Sequence, residues 1–93
     1  MWEVKPKKLV IKNLKKIPAK VKETFFILKR ELEILGPYRT NWPNYGALKG
    51  IKNTYHCHIK KGKPTYVAVW CVENNEINIM EVTYVGTHEK APY

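Results

Sequence analysis

The feature that most constrains the fold is a series of three short strand sequences in the last third of the chain, separated by two turn sequences. The turns, Lys61–Pro64 and Glu73–Glu76, contain the glycine, proline and asparagine residues that favour tight reversals. Because short turns join antiparallel neighbours, we predict an antiparallel meander. Its strands are expected at residues 54–60, 65–72 and 77–85.

The first predicted strand has two faces of different chemistry. Cys57 and Ile59 alternate with polar residues, and successive side chains of a strand point to opposite faces. We therefore expect the apolar face to pack inside the domain. The other face should meet solvent, and it carries His56, His58 and Lys60.

The other two predicted strands differ from the first. Residues 65–72 are apolar on both faces, which is typical of a central strand. In residues 77–85, Ile77 and Ile79 share one face, whereas Met80 begins an apolar alternation on the other. This change of phase predicts a β-bulge near Ile79 and Met80, or a strand that is covered on both sides.

The first half of the chain has the pattern of two helices. Residues 1–5 suit an edge strand, and Pro6 suits the first turn of a helix that we predict over residues 6–16. A second helix should begin at Pro18 and end before Gly36. Its apolar stripe recurs every three or four positions, at Val21, Phe25, Leu28, Leu32 and Leu35.

These elements predict a two-layer α+β fold in the order β-α-α-β-β-β, with the helical hairpin packed on a small antiparallel sheet. The chain of 93 residues suits a single domain, residues 1–93. No apolar run reaches the roughly 18 residues that a membrane span needs. The first residues also lack the apolar stretch of a secretory leader. We therefore expect a cytoplasmic protein with no membrane partner.

The charge distribution favours a polyanionic partner. Seventeen lysine and arginine residues oppose eight glutamates and no aspartate, which gives a net charge of +9. No acidic residue lies between Glu33 and Glu73. Such a surface attracts nucleic acid, although an acidic protein would satisfy the same field. Because magnesium-dependent nucleases group several carboxylates, the scattered glutamates predict that any nuclease activity is independent of metal.

Aromatic and basic side chains are interleaved in the predicted loop of residues 36–53. The rings could stack on bases while the cations hold phosphates. They could also pin a long loop onto a small domain, which we favour for Trp42, while Tyr45 suits either interpretation. The candidate RNA contacts in this loop are Tyr45, Lys49 and Lys52.

The histidines supply a candidate catalytic site. Metal-free cleavage of RNA needs a base for the ribose 2′-hydroxyl, cations for the phosphate and an acid for the leaving 5′ oxygen. Imidazole titrates near neutrality and suits both proton transfers. In the predicted meander, His58 and His88 approach the same edge of the sheet, and Tyr93 could stack on a base or act as a weak acid. Further RNA contacts would come from His56, Lys60, Lys61 and Lys63.

Metal and redox chemistry are less well supported. The three histidines could ligate a metal, but their spacing is not a known zinc pattern. Cys57 and Cys71 are too few for a disulfide framework and are expected to be small buried hydrophobes. We therefore expect neither a metal nor a cofactor.

Several motifs resemble the RelE/ParE superfamily of toxins from bacterial toxin–antitoxin pairs. The strand and the tail are most similar to the YafQ branch, and the chain length and element order also agree. The motifs are Leu48-Lys49-Gly50, Tyr55-His56-Cys57-His58-Ile59 and Gly86-Thr87-His88-Glu89 with an aromatic ending.

The resemblance implies a ribosome-dependent endoribonuclease that cuts mRNA in the ribosomal A site and represses translation. It also implies contacts with rRNA and a cognate antitoxin that wraps and neutralises the toxin. The active-site residues that it implies are His58, His88 and Tyr93. We expect His88 to be the general acid and His58 the general base, or the reverse.

The sequence departs from the family pattern at three points, and two alternatives remain. Lys60, Lys61 and Lys63 follow the strand histidine, where members of the branch often have an acid. Lysine or histidine replaces a strand arginine, and the tail from His88 to Tyr93 is one residue longer. A ParE-like inhibitor of DNA gyrase would need no histidine pair. A non-catalytic RNA- or protein-binding domain would bind RNA and leave it intact.

Overall fold

The computed structural model describes residues 1–93 and confirms the α+β prediction, since two helices pack on a five-stranded sheet. None of the helices is long and apolar enough to cross a membrane. The elements in chain order are β1 (Glu3–Pro6), α1 (Lys8–Leu14), α2 (Ala19–Leu35), β2 (Gly46–Ala47), β3 (Thr54–Lys60), β4 (Tyr66–Asn74), β5 (Ile79–Thr87) and a 3-10 turn (His88–Lys90).

The strands lie in the order β1-β5-β4-β3-β2. The predicted antiparallel meander is formed by β3, β4 and β5, with β4 at its centre. As predicted, β1 is an edge strand, and it runs parallel to β5. At the other edge, β2 pairs with β3 and places Gly46 opposite His56. This strand departs from the predicted unbroken loop, because two residues are too few to show an alternation.

The first helix is shorter than predicted at both ends. Pro6 belongs to β1 and lies opposite Val82, and the N–H of Lys7 donates to the Val82 carbonyl at 3.0 Å. At the other end, the N–H groups of Lys15 and Lys16 donate to carbonyls only three residues earlier. This tighter turn ends the helix.

The apolar stripe of α2 supplies much of the core. Four of its residues are buried, but Leu35 is 61% exposed, so the prediction that it belongs to the core is wrong. The indole N–H of Trp70 in β4 donates to the Pro37 carbonyl at 3.0 Å and ties the sheet to the end of α2. The buried stripe residues are Val21, Phe25, Leu28 and Leu32.

The two cysteines differ in their surroundings, and both are free thiols. Cys57 lies in the core between the sheet and the helices, as predicted, and burial raises the pKa of its thiol to about 12. Cys71 is only half-buried. The prediction of a buried cysteine therefore holds for the first and not for the second.

Two irregularities in the β4–β5 pairing decide which residues of β5 face the helices. One lies opposite Ile79 and Met80, but its extra residue is Glu73 of β4, so the bulge predicted in the last strand lies on the neighbouring strand instead. The other leaves Thr83 without a partner, so that Val82 and Val85 both enter the core.

The strand β5 begins and ends two residues later than predicted. The side-chain oxygen of Asn74 accepts the N–H groups of Glu76 and Ile77 at 2.9 and 3.2 Å, which lengthens the preceding turn. Ile77 therefore lies outside the strand, where its side chain is exposed.

Candidate active site

The face of the sheet away from the helices carries a row of paired residues that begins with His58. Across the strands, His58 lies opposite Val67, and Val67 lies opposite Gly86. The N–H of His58 also donates to the Pro43 carbonyl at 2.8 Å, which fixes this part of the strand edge. Backbone pairing on both sides therefore sets the position of the imidazole.

The strands β3 and β5 are both antiparallel to β4, so they end on the same side of the sheet. His88 follows β5 directly, and its N–H donates to the Thr65 carbonyl at 2.8 Å. The ring centroids of His58 and His88 are 5.6 Å apart, with their planes at 67°. The structure thus brings together the two histidines that were paired from the sequence.

The end of the chain returns to the same place. The Tyr93 ring lies 4.8 Å from the His56 ring and 6.0 Å from the His88 ring, measured between centroids. His56 lies one row further along the same face as His58, opposite Val69. These three ring contacts form one cluster. We call it the histidine cluster, and its members are His56, His58, His88 and Tyr93.

The prediction that His56 and His58 meet open solvent is wrong in part. Both side chains are half-buried, and the Nδ1 atom of His56 is buried without a hydrogen-bond partner. Val67 and Val69, which lie on this face beside them, are fully buried. The reason is that the tail folds back and places Tyr93 over His56. Alternation within a strand cannot reveal such a cover.

The surroundings lower the pKa values of two of the histidines. Burial lowers the pKa of His56 most, followed by the charges of His58 and His88. The pKa of His58 is lowered by burial first, and then by the charges of His88 and Lys61. Both imidazoles are therefore biased toward the neutral form at pH 7, which can accept a proton. Burial likewise raises the pKa of the Tyr93 hydroxyl, which keeps it protonated.

Lys60 does not share the face of the histidines, contrary to the prediction. The pairing shifts between His58 and Lys60, so that Ile59 and Lys60 both lie opposite Tyr66. Lys60 consequently lines a small cleft against Val21 of α2. Its ammonium group donates to the carbonyls of the following turn, those of Lys61 and Pro64, at 3.3 Å each.

The other predicted cations divide between the two ends of β3. Lys61 and Lys63 are exposed in the turn after β3, at the end that carries the histidine pair. Lys49 and Lys52 precede β3 and lie at its opposite end. The four residue steps from Thr54 to His58 span about 13 Å of extended strand. Of these four lysines, only Lys61 and Lys63 are therefore near the histidine cluster.

The aromatic residues of the 36–53 loop pack on the domain. Glu31 accepts the indole N–H of Trp42 at 2.9 Å, which supports the anchoring role that was favoured for this ring. Tyr45 stacks on Tyr55 at 6.1 Å and on Trp70 at 6.2 Å, measured between centroids. These partners lie on the helix side of the sheet, so Tyr45 is not part of the histidine cluster.

Two residues beneath the tail were not singled out as functional from the sequence. The Tyr84 hydroxyl donates to the Thr87 carbonyl at 2.7 Å and braces the chain just before His88. The tyrosine ring passes directly over Gly86, where an added Cβ would lie 2.6 Å from the hydroxyl oxygen. The signal in the sequence was the Tyr-x-Gly-Thr-His run, because a glycine before a functional residue often admits a close neighbour.

The site offers no arrangement for a metal ion. No group of three or more histidine, cysteine or acidic side chains lies close enough together to hold one. The cluster itself offers proton transfer by imidazole and stacking by tyrosine, and the nearby Lys61 and Lys63 offer electrostatic stabilisation.

The fold has counterparts among solved structures. Archaeal RelE from the RelE–RelB complex of Pyrococcus horikoshii OT3 matches with a TM-score of 0.75 and 20% identity, covering 97% of this chain and 98% of that one. The isolated E. coli RelE toxin matches with a TM-score of 0.73 and 20% identity, covering 99% of this chain and 89% of that one. A YoeB dimer from Staphylococcus aureus matches with a TM-score of 0.72 and 13% identity, covering 94% of this chain and 97% of that one.

Sequence comparison adds nothing to these structural likenesses, since no protein-family model and no curated protein matches the chain. Likeness at 20% identity or below establishes the fold and leaves the activity to be argued from the site. The element order, the sheet topology and these near-complete superpositions together show that the chain has the fold of the RelE toxins.

Proposed function

We propose that the protein is the toxin of a toxin–antitoxin pair and that it cuts mRNA on the ribosome by acid–base catalysis without a metal ion. The observation that carries this proposal is the 5.6 Å approach of the His58 and His88 rings, on a RelE-type fold. Two imidazoles at this distance can serve the two proton transfers that RNA cleavage needs. The strand and tail motifs favour a YafQ-like branch.

In the proposed reaction, His58 accepts the proton of a ribose 2′-hydroxyl. The freed oxygen attacks the adjacent phosphorus, and the bond from phosphorus to the 5′ oxygen breaks. His88 donates a proton to that departing oxygen, which leaves a 2′,3′-cyclic phosphate and a 5′-hydroxyl. The lowered pKa of His58 favours this assignment, because a base must be neutral to accept a proton. The reverse assignment of the two histidines gives the same products.

The remaining members of the site act on the substrate rather than on the protons. Lys61 and Lys63 lie at the histidine end of β3, where their charge can stabilise the phosphate as it gains negative charge. Tyr93 stays protonated and is 45% exposed, so its free face can stack on a base. Lys49 and Lys52, at the far end of β3, suit contacts with rRNA.

The proposed protein partner is an acidic antitoxin. The archaeal counterpart is a RelE bound to RelB, which makes a complex of this type a natural expectation. The net charge of +9 gives an acidic partner a strong electrostatic advantage. Because its substrate would be mRNA on ribosomes, the proposed toxin would act in the cytoplasm.

The test is cleavage of mRNA in programmed ribosome complexes, with primer extension to locate the cuts. We expect wild type to cut in the A site, and His58→Ala or His88→Ala to lose cleavage while keeping the fold. Lys8→Ala, at the start of α1, is the matched control and should cut normally. Intact mRNA with wild type would contradict the proposal. DNA damage with normal translation would indicate a gyrase inhibitor, and RNA binding without cleavage a binding domain.

A further inference from the structure

A second feature of the surface lies beside the histidine cluster, at the outer edge of β5. It is a groove of about 380 Å³ between the end of α1 and the end of the sheet, and we call it the α1–β5 groove. This volume falls in the range of small-molecule sites. The lining residues that matter here are Asn13, Lys16, Tyr66, Gly86, Thr87 and Lys90.

The groove exists because β5 lacks a neighbour over its second half. The edge strand β1 pairs with β5 only from Ile79 to Val82, and beyond that point the chain of β1 has turned into α1. From Thr83 onward, the outer edge of β5 faces the end of α1 instead of another strand. No strand pairs with this part of the edge, although the Thr87 carbonyl already accepts the Tyr84 hydroxyl.

The chemistry of the groove suits a nucleotide. Lys16 and Lys90 line it, neither makes a salt bridge, and no acidic residue is among its lining residues. The phenol ring of Tyr66 offers a surface on which a base could stack, and Asn13 and Thr87 offer polar groups for base edges or sugar. Two unpaired cations beside an aromatic ring favour a phosphodiester over an apolar ligand.

The groove is also continuous with the histidine cluster. Gly86 lies in the same cross-strand row as His58, with Val67 between them, so two strand spacings of about 5 Å each separate them. Thr87 directly precedes His88. A strand of RNA held at the histidines can therefore continue over the end of β5 into the groove.

We propose that the α1–β5 groove binds a nucleotide that flanks the scissile bond in the RNA substrate. This rests on the proposed function in taking RNA as the ligand. The groove is a binding subsite, and it takes no part in proton transfer. Lys16 and Lys90 hold the phosphate and Tyr66 contacts the base.

The test is binding of a fluorescent 2′-O-methyl oligoribonucleotide, followed by anisotropy at several salt concentrations. This ligand lacks the 2′-hydroxyl that would attack the phosphate, so it cannot be cut. The variant is Lys16→Gln with Lys90→Gln. Its control, Lys7→Gln with Lys8→Gln, removes two charges at the opposite end of α1. We expect the groove variant to bind about tenfold more weakly, with the salt slope smaller by about 0.7, and the control to change less than twofold.

A second variant tests whether the shape of the groove, apart from its charge, contributes to RNA binding. Asn13→Trp fills the groove without altering the net charge, and its circular dichroism and melting temperature report whether the fold is kept. We expect a folded Asn13→Trp protein to bind the oligonucleotide at least about fivefold more weakly, because a base can no longer enter. Equal effects of the two lysine pairs, or unchanged affinity in both groove variants, would overturn the proposal. Unchanged affinity for the oligonucleotide in both groove variants is also the result expected if a peptide strand of a protein partner occupies this edge of β5.

The binding measurement does not depend on catalysis. If wild type cuts no mRNA, the proposed function fails, and the oligonucleotide still shows whether the groove holds RNA. If wild type cuts and the Lys16→Gln/Lys90→Gln protein cuts with an unchanged KM, only the groove proposal fails. A groove subsite predicts a raised KM with a similar kcat, since the lost contacts bind the substrate and the transition state alike.

Discussion

The rings of His58 and His88 lie 5.6 Å apart, although one belongs to β3 and the other to the turn that follows β5. Their approach depends on β3 and β5 ending on the same side of β4. It also depends on the Thr65 carbonyl, which accepts the N–H of His88. The sheet itself thus assembles the candidate proton-transfer pair, and the tail adds Tyr93.

Removing one imidazole should change the titration of the other. The charge of His88 contributes to the lowered pKa of His58, so His88→Gln should raise the pKa of His58. The shift can be followed by NMR from the imidazole Cε1–H resonance of His58. The control is Lys8→Gln, which removes a positive charge from α1 and should leave the His58 titration unchanged. An unaltered His58 pKa in His88→Gln would mean that the two rings do not interact in solution.

Lowering the pH should destabilise the fold through protonation of His56 and His58. The pKa values of His56 and His58 are lowered below 6.5 in the folded state, so the unfolded chain takes up protons first as the pH falls. Their neutral forms therefore stabilise the protein fully above that unfolded value. The stability is lost as the pH falls from 6.5 through the folded pKa values. Urea unfolding between about pH 7.5 and 5.5 should show a falling free energy of unfolding.

His56 should account for part of this loss. Its Nδ1 atom is buried without a partner, and its ring packs against Tyr93. His56→Phe keeps a ring for Tyr93 and removes the unsatisfied nitrogen. We expect this variant to be more stable than wild type at about pH 6, with a flatter dependence on pH. An unchanged pH dependence in His56→Phe would show that His56 is not one of the titrating groups.

The aromatic ring of Tyr93, rather than its hydroxyl, should contribute to mRNA cleavage. Burial raises the pKa of the hydroxyl, so its proton is held too tightly for efficient acid catalysis at neutral pH. We expect Tyr93→Phe to keep cleavage within about threefold of wild type, and Tyr93→Ala to lose about tenfold or more through lost stacking. Equal losses in the two variants would instead assign the hydroxyl a catalytic role.

Gly86 should tolerate no side chain. A Cβ at this position would lie 2.6 Å from the hydroxyl oxygen of Tyr84 and 2.9 Å from the ring carbon that bears it. We expect Gly86→Ala to lower the free energy of unfolding by about 1–3 kcal/mol, because the Tyr84 brace over Thr87 must move. Gly46→Ala is the matched control, since its Cβ would meet only His56 Nε2 at 3.7 Å. Similar losses in both variants would contradict this account.

Most of the fold could be predicted from local patterns in the sequence. The apolar stripe of α2 and the alternation in β3 arise from helix and strand geometry within one element, so they are visible along the chain. The pairing of His58 with His88 also followed, because short turns fix the direction of successive strands. The two-residue β2 could not be predicted, since its pairing depends on the neighbouring strand.

The errors within the candidate site have a common physical cause. Lys60 was expected beside His58, but a bulge at Ile59 turns it toward α2, and no alternation pattern records where a strand will bulge. The cover over His56 was missed because Tyr93 reaches it through the fold of the tail. Tertiary contacts of this kind have no local signal in the sequence.

The most direct test of the central claim is the chemistry of the ends that cleavage leaves, measured together with its pH dependence. Fragments from ribosome-bound mRNA should carry 2′,3′-cyclic phosphate and 5′-hydroxyl ends, with a bell-shaped rate profile, and His58→Ala should yield no fragments at any pH. Fragments with 3′-hydroxyl and 5′-phosphate ends would contradict the account, because attack by the 2′-hydroxyl through a histidine pair cannot produce them.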